Sequence, residues 1–345
     1  MFLRDLWYFA LPGARLKPGH MTPLTLLGET LVLGRLAGGE AFALADRCPH
    51  RAMPLSEGRF DGAEIECCYH GWRFDNAGAC TAIPSLADGA KLDISRIRAK
   101  AYPCREVQGN IWVYFADDKV ARPLANALPD PPSVPEMDDR APRLFEDMLF
   151  PCHVDHAVVG LMDPAHGPFV HRAWWWRSRK SIHEKARRFE PAPLGFRMAR
   201  HRPSSNSFAY KLLGGEMTTE ISFQLPGVRI EHVKAGRHTL CGLTAVTPVS
   251  ETETRVNHAI YWTMPWLGVL KPALRPFARA FLAQDRSVVA RQQRGLAGDP
   301  PLILIDDADT QAKWYYRLKK EYARAVEAGT PFQNPVTERV LKWRS

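Results

Sequence analysis

Short apolar runs broken by glycine-rich turns dominate the first third of the chain. Residues 24–35 (LTLLGETLVLGR), 41–44 and 110–115 (NIWVYF) are β-branched or aromatic stretches of this kind, which predicts a small all-β domain. Pro123, Pro129, Pro131, Pro132, Pro135 and Pro142 then interrupt every regular pattern and read as a connection between domains. The expected division is residues 1–120 and 121–345. From about 205 to 265 strand patterning returns: Ile221, Phe223 and Leu225 alternate with Ser222 and Gln224, with turns at Gly214-Gly215, Pro226-Gly227 and Gly236. This predicts an antiparallel meander. Two amphipathic helices are expected next, from about Pro272 to Leu296 and from about Asp307 to Ala328. The class is therefore α+β.

Composition changes this picture little. The 345 residues are 46% hydrophobic and 24% charged, ordinary for a globular chain of about two domains. No run of eighteen apolar residues occurs, and Arg4 and Asp5 interrupt the place where a signal peptide would need its apolar stretch, so a cytoplasmic protein is expected. The net charge is +9, with Arg172, Arg177, Arg179, Lys180, Lys185, Arg187 and Arg188 in one segment. A solvated basic face is the expected meaning, with an acidic protein, an anionic substrate or a peripheral membrane contact as alternatives. No nucleic-acid-reading motif accompanies the charge, so no nucleic-acid partner is expected.

The chemistry lies in two groups of residues. Cys48-Pro49-His50 is followed, after sixteen residues, by Cys67-Cys68-Tyr69-His70. Two thiolates can hold one iron of a 2Fe-2S cluster and two imidazoles the other, which raises the reduction potential and suits uptake of electrons from a weak reductant. Arg51, Pro54, Gly71 and Trp72 suit the tight loops such a cluster needs. A zinc site is the competing reading of the spacing. The two-residue gap of the second motif selects Cys67 rather than Cys68, which is expected to be a packed bystander. Cys80, Cys104, Cys152 and Cys241 show no paired spacing and are expected to be small buried groups, with no disulfide framework.

The second group is Asp163-Pro164-Ala165-His166-Gly167-Pro168-Phe169-Val170-His171. A five-residue gap on an ideal helix would turn His171 away from His166, but Gly167-Pro168 breaks the helix and lets both converge. Two imidazoles and one carboxylate form the facial triad of a non-haem Fe(II) oxygenase, with open positions for O2. Asp285 is the candidate carboxylate, because Phe277, Phe281, Val288 and Gln292 share its helical spacing and set it on an inward face, where a buried carboxylate needs a partner. Asp306, Asp307 and Asp309 compete, but cluster where they would cap a helix N-terminus. A pair of hydrogen-bonded core histidines is the plainer reading of His166 and His171 alone. His153 and His156 carry no assigned role, and His232, His238 and His258 are expected at the surface or in a pocket.

Together these motifs resemble the terminal oxygenase (α) subunits of Rieske non-haem iron oxygenases, over nearly the whole chain. The single-chain layout is similar to the homotrimeric monooxygenases and demethylases such as vanillate and dicamba O-demethylases, and LMDPAH is similar to pheophorbide a oxygenase. The resemblance implies a Rieske β-domain followed by a helix-grip (START-like) catalytic domain with an antiparallel sheet and flanking helices. It implies Cys48 and Cys67 on one cluster iron, His50 and His70 on the other, and His166, His171 and Asp285 on a mononuclear Fe(II). It further implies that Asp163 bonds His166 and, across an interface, His70 of the partner subunit, joining the two metal centres in a head-to-tail trimer.

Electrons would come from NADH or NADPH. Because no dinucleotide fingerprint occurs in this chain, a separate reductase, with or without a ferredoxin, must collect them. The implied reaction is hydroxylation or oxidative demethylation of an aromatic or other hydrophobic substrate, with a sterol or other polycyclic lipid as the second choice. A Rieske electron carrier without its own chemistry is the rival from another class. Many relatives have an asparagine a few residues before the motif aspartate, where this chain has Val159 and Gly160. The triplet Trp174-Trp175-Trp176 is expected to pack between helix and sheet, with pocket lining or membrane contact as the alternative.

Overall fold

The computed structural model describes residues 2–117, 128–171, 182–203 and 216–345. It divides into two compact units, Asp5–Pro132 and Met1–Arg4 with Ser133–Ser345. The first unit thus extends past the expected boundary near residue 120. The reason is local: Pro131 and Pro132 are buried, Trp7 Nε1 donates to the Pro129 carbonyl at 2.7 Å, and Asp130 pairs with Arg105. Pro129, Pro131 and Pro132 therefore belong to the first unit, and Pro123 lies outside the described residues.

Among the described residues the first unit holds three small antiparallel sheets. One joins β1 (Leu6–Pro12), β11 (Asn110–Phe115) and β10 (Cys104–Val107). The second runs β2 (His20–Leu26), β3 (Glu29–Arg35), β4 (Ala41–Ala45), β9 (Ala101–Tyr102). The run read as residues 24–35 is two strands folded at Leu27 and Gly28, both with positive φ (55° and 78°), as a two-residue hairpin turn requires. The third sheet, β5 (Arg59–Phe60), β6 (Ile65–Glu66), β7 (Arg73–Phe74) and β8 (Cys80–Ala82), carries the second cysteine–histidine motif. Val32, Phe42, Leu44, Leu55, Ile65 and Phe74 form its core together with Cys48 and Cys67.

The turn leading into β8 shows why glycine is needed. Gly78 has φ +76°, and a Cβ there would lie 2.2 Å from the Ala99 carbonyl oxygen. Gly78→Ala is expected to destabilise this unit by about 2–4 kcal/mol, read as a lowered thermal midpoint. An unchanged midpoint would show that the turn can open without loss.

The second unit is built on an eight-stranded antiparallel sheet, in order β12 (Leu144–Phe150), β18 (Thr254–Trp262), β17 (His238–Pro248), β16 (Val228–Ala235), β15 (Met217–Gln224), β14 (Gly195–His201), β13 (Glu184–Ala192), β19 (Arg339–Arg344). The expected meander is its centre, β15 to β18; Gly214 and Gly215 lie outside the described residues. So do Trp174, Trp175, Trp176 and the basic residues 172–180. Lys185 of that basic segment is buried, its Nζ donating to Ser345 Oγ at 2.7 Å, so it is not part of a solvated face.

Four helices serve this sheet among the described residues: α1 (Val154–Met162), α2 (Gly167–Val170), α3 (Leu267–Leu296) and α4 (Thr310–Ala328). The third begins five residues before Pro272 and runs through Pro272 and Pro276, because its apolar stripe starts at Leu267, which packs with Leu144 and Trp262. Trp314 and Tyr315 of α4 pack on Phe196 and Phe223. Asp155 on α1 accepts from Lys319 Nζ at 2.6 Å and Tyr315 Oη at 2.6 Å on α4, which fixes the segment leading to His166. The three acids before α4 do not cap it with side-chain bonds as expected. Asp309 accepts from the Ile305 N–H instead, and Asp306 and Asp307 pair with Lys313 and Arg339. No described helix is long and apolar enough to cross a membrane.

Candidate metal centres

The two cysteine–histidine loops are built alike. In each, the cysteine N–H donates to the carbonyl five residues on (Cys48 to Met53, Cys67 to Trp72, both 2.8 Å). In each, the cysteine carbonyl accepts from the residue four on, Ala52 at 2.9 Å and Gly71 at 3.0 Å, and that residue has left-handed φ (57° and 72°). The first loop is closed at its ends by Asp46, whose carboxylate accepts from Ser56 N at 2.7 Å and Ser56 Oγ at 2.6 Å. The second is closed by Arg73, whose Nε lies 3.0 Å from Glu66 Oε2.

These loops place the thiols on the inside and the imidazoles outside. Cys48 and Cys67 are both buried. Burial, with the Cys67 thiol beside it, pushes the Cys48 thiol up to about 11. A buried thiol in that state lacks a cation to ionise it, which is what iron supplies. The rings of His50 and His70 lie 4.7 Å apart, and His50 stacks flat on Trp72 at 4.5 Å. A sulfur pair and a nitrogen pair fit the 2Fe-2S cluster of this ligand type better than one tetrahedral zinc. Cys68 is exposed and is not the packed bystander expected; the hairpin loop turns it outward. Cys80, Cys152 and Cys241 are buried, while Cys104 is only partly so.

In the second unit His166 and His171 flank the single turn of α2, and Asp285 reaches them from α3. His166 Nε2 lies 3.2 Å from His171 Nε2, and Asp285 Oδ1 lies 3.8 and 3.3 Å from these two atoms. Among the described residues this is the group of three or more such donors gathered tightly enough for one ion. Burial pushes the Asp285 carboxyl up to about 7, only partly offset by Arg229. A half-buried acid short of countercharge beside two imidazole nitrogens fits a divalent cation.

The far ring nitrogens are also engaged. His166 Nδ1 lies 2.7 Å from the Asp163 main-chain carbonyl, and His171 Nδ1 lies 2.9 Å from Gln284 Oε1. Each oxygen accepts an N–H, which leaves both Nε2 lone pairs for a metal. His171 is held further by stacking on Phe281 at 3.6 Å. Gln284 had no signal in the sequence beyond its place next to Asp285. Gln284→Leu is expected to weaken Fe(II) or Co(II) binding by the iron-depleted protein roughly 10- to 100-fold, read by competition titration. Unchanged affinity would make the contact incidental.

Asp163 differs from the expected arrangement. Its Oδ1 accepts from Ala165 N at 2.7 Å, while Oδ2 stays 3.8 Å from His166 Nδ1. The main chain, not the carboxylate, makes the bond to His166. His153, without a role in the sequence, is the N-cap of α1 and accepts from Asp155 N at 3.2 Å. A Cβ on Gly160 would meet only Val289 among the described residues, at 3.9 Å, so this position is roomy.

Fold and donor sets fit an iron–sulfur protein with a second donor group suited to a single metal ion. Residues 6–103 match the Rieske [2Fe-2S] domain, and residues 150–320 match the vanillate O-demethylase oxygenase C-terminal domain. The chain belongs to the Rieske non-haem iron oxygenases. It is 34% identical over 347 residues to chlorophyllide a oxygenase of Chlamydomonas reinhardtii, covering 97% of this chain and 51% of that one. It is 34% identical over 170 residues to 4beta-methylsterol monooxygenase of Methylococcus capsulatus, covering 49% of this chain and 44% of the relative. The chain thus spans about half the length of these curated relatives. A solved structure of dicamba monooxygenase with non-heme iron and dicamba shares the fold, with a TM-score of 0.73 at 21% identity over 95% of this chain and 99% of that one.

Proposed function

We propose that this chain is the terminal oxygenase of a multicomponent system that uses O2 and electrons from NADH or NADPH. A separate reductase, with or without a ferredoxin, delivers the electrons. Cys48, His50, Cys67 and His70 hold the 2Fe-2S cluster, and His166, His171 and Asp285 hold a mononuclear Fe(II). An iron held by two imidazoles and one carboxylate keeps positions open for binding and activating O2. The residues of this chain orient that site: Gln284 and the Asp163 carbonyl fix the imidazole tautomers, and Phe281 fixes the plane of His171.

The single observation that carries this reading is the convergence of His166, His171 and Asp285, which an electron carrier has no need of. One oxygen atom enters a C–H bond of a hydrophobic substrate. Where that carbon is a methoxy or N-methyl group, the hydroxylated product collapses to formaldehyde, so hydroxylation and demethylation are one chemistry. The names of the two curated relatives, a chlorophyllide a oxygenase and a 4beta-methylsterol monooxygenase, support a sterol or other polycyclic molecule as the alternative to an aromatic substrate. Iron content tests the reading: three irons per chain fit an oxygenase and two fit a carrier.

The assembly proposed is a homotrimer in which Asp163 links its own iron site to His70 of the partner subunit. The partly exposed Asp163 carboxylate, bonded on one oxygen only to its own turn, is the support for this. Asp163→Ala is then expected to keep both metals while lowering turnover roughly 10- to 100-fold. Unchanged turnover with full metal content would sink the link.

A further inference from the structure

The wall of the large sheet that carries α3 is not uniformly apolar. Strand register puts Glu146, His258, Thr244 and Arg229 side by side across β12, β18, β17 and β16, so their side chains share one face. Arg275 of α3 reaches Glu146, and Leu240 and Ile260, two residues along β17 and β18 from Gly242 and His258, pack against the same apolar cluster as Leu274 and Ala278 of α3. This is therefore the helix-bearing face. On this face Glu146, Phe223, Thr244 and Val246 are buried, while Arg229, Glu231, Gly242, His258 and Ile260 between them keep partial exposure. The exposed group marks the part of the wall that is not packed shut.

The donors on that wall have capacity to spare. Arg229 Nη2 lies 3.1 Å from Glu231 Oε2, the one acceptor it meets among the described residues, and a guanidinium has five N–H donors. Thr244 Oγ1 lies 2.8 Å from His258 Nδ1. The Thr244 hydroxyl is buried and its hydrogen has no other acceptor among the described residues, so it donates to Nδ1, and His258 carries its proton on Nε2. Both side chains thus offer N–H groups, from strands roughly 10 Å apart. The wall lies beneath α3, the helix that carries Asp285: Arg275 reaches Glu146, and Arg286 Nε donates to the Leu149 carbonyl of β12 at 2.8 Å.

The structure assigns Arg229, together with His258 as oriented by Thr244, to recognition of a carboxylate on an otherwise apolar substrate. Two N–H donors, one of them a planar cationic fork, match an anionic oxygen pair. Glu231 already engages one nitrogen of the guanidinium, and a substrate carboxylate is a stronger partner for its remaining N–H donors than a neutral alcohol or ester. Ile221 on the same wall, opposite Glu231 in register, meets the apolar body. Gly242, between Glu231 and Ile260 in register, leaves room beside the His258 ring. The assignment rests on the oxygenase reading, because it takes this wall as the substrate side of the iron site.

The test compares matched probes on the holoenzyme: 1-pyrenebutyric acid and its methyl ester, and lithocholic acid and its methyl ester, by equilibrium titration. The expected result is that each acid binds at least about tenfold more tightly than its ester. Arg229→Leu should erase that preference and Arg229→Lys should retain part of it, the cluster absorption spectrum showing that both variants fold. Acids that bind no better than esters to the unmodified protein, at any level of affinity, overturn the assignment. So does an Arg229→Leu variant with an intact cluster and undiminished acid preference. The same probes with 18O2 separate the two claims. Acid-selective binding with no labelled product keeps the Arg229 assignment and defeats the oxygenase reading, while labelled products formed equally from esters do the reverse.

Discussion

Asp285→Ala should leave two irons per chain instead of three and lower turnover by roughly 1,000-fold or more, with the cluster spectrum unchanged. The fold-loss follows from removing a ligand whose metal contributes several kcal/mol of charge stabilisation, at 1.36 kcal/mol per tenfold in rate. Three donors lie within 4 Å of one another, and only Asp285 brings negative charge. Two neutral imidazoles alone bind Fe(II) weakly. The cluster belongs to a separate unit with its own core, so its irons stay. Asp285→Asn, nearly the same in shape, separates charge from packing: it should lose activity about as fully while keeping the thermal midpoint. Iron analysis and product yield check both variants. Retention of three irons by Asp285→Ala would remove this residue from the ligand set.

Cys67→Ser should abolish the visible absorption of the cluster, while the neighbouring Cys68→Ser leaves it intact. Cys67 is buried beside Cys48, with its N–H tied to the Trp72 carbonyl at 2.8 Å, whereas Cys68 is exposed. A serine hydroxyl is a far weaker ligand for iron than a thiolate. Because Cys48 and Cys67 belong to the core of the first unit, loss of the cluster also removes cross-links from that core, and the thermal midpoint should fall by several degrees or more. The converse pattern, a bleached Cys68→Ser and a coloured Cys67→Ser, would reverse the ligand choice.

What could be read in the sequence was what is local. Both cysteine–histidine loops close within five residues through their own backbone, and the Gly167-Pro168 break acts within one turn, so spacing alone carried these sites. Asp285 was found partly for the wrong neighbours. Phe277 and Val288 are exposed, as is Gln292, and the buried stripe is Leu282 and Val289 with Asp285 between them. A long helix that shows apolar residues on more than one side gives no unique inward face until its packing partner is known. Strands β13 and β19 escaped notice because charged residues occupy many of their positions and they pair across more than 150 residues, Glu184 with Arg344. Gln284 and the Arg229–His258 wall depend on strand register and on contacts between distant elements, which no single-sequence pattern encodes.

The most direct measurement is a single turnover with 18O2. The purified protein is reduced without oxygen, mixed with polycyclic, sterol and aromatic carboxylic acids, exposed to 18O2 and analysed by mass spectrometry. The expected result is one labelled oxygen atom in a hydroxylated product, or loss of a methyl group with labelled formaldehyde, together with reoxidation of the cluster. A cluster that reoxidises with three irons per chain in place and no label in any product would contradict the assignment of this chain as an oxygenase.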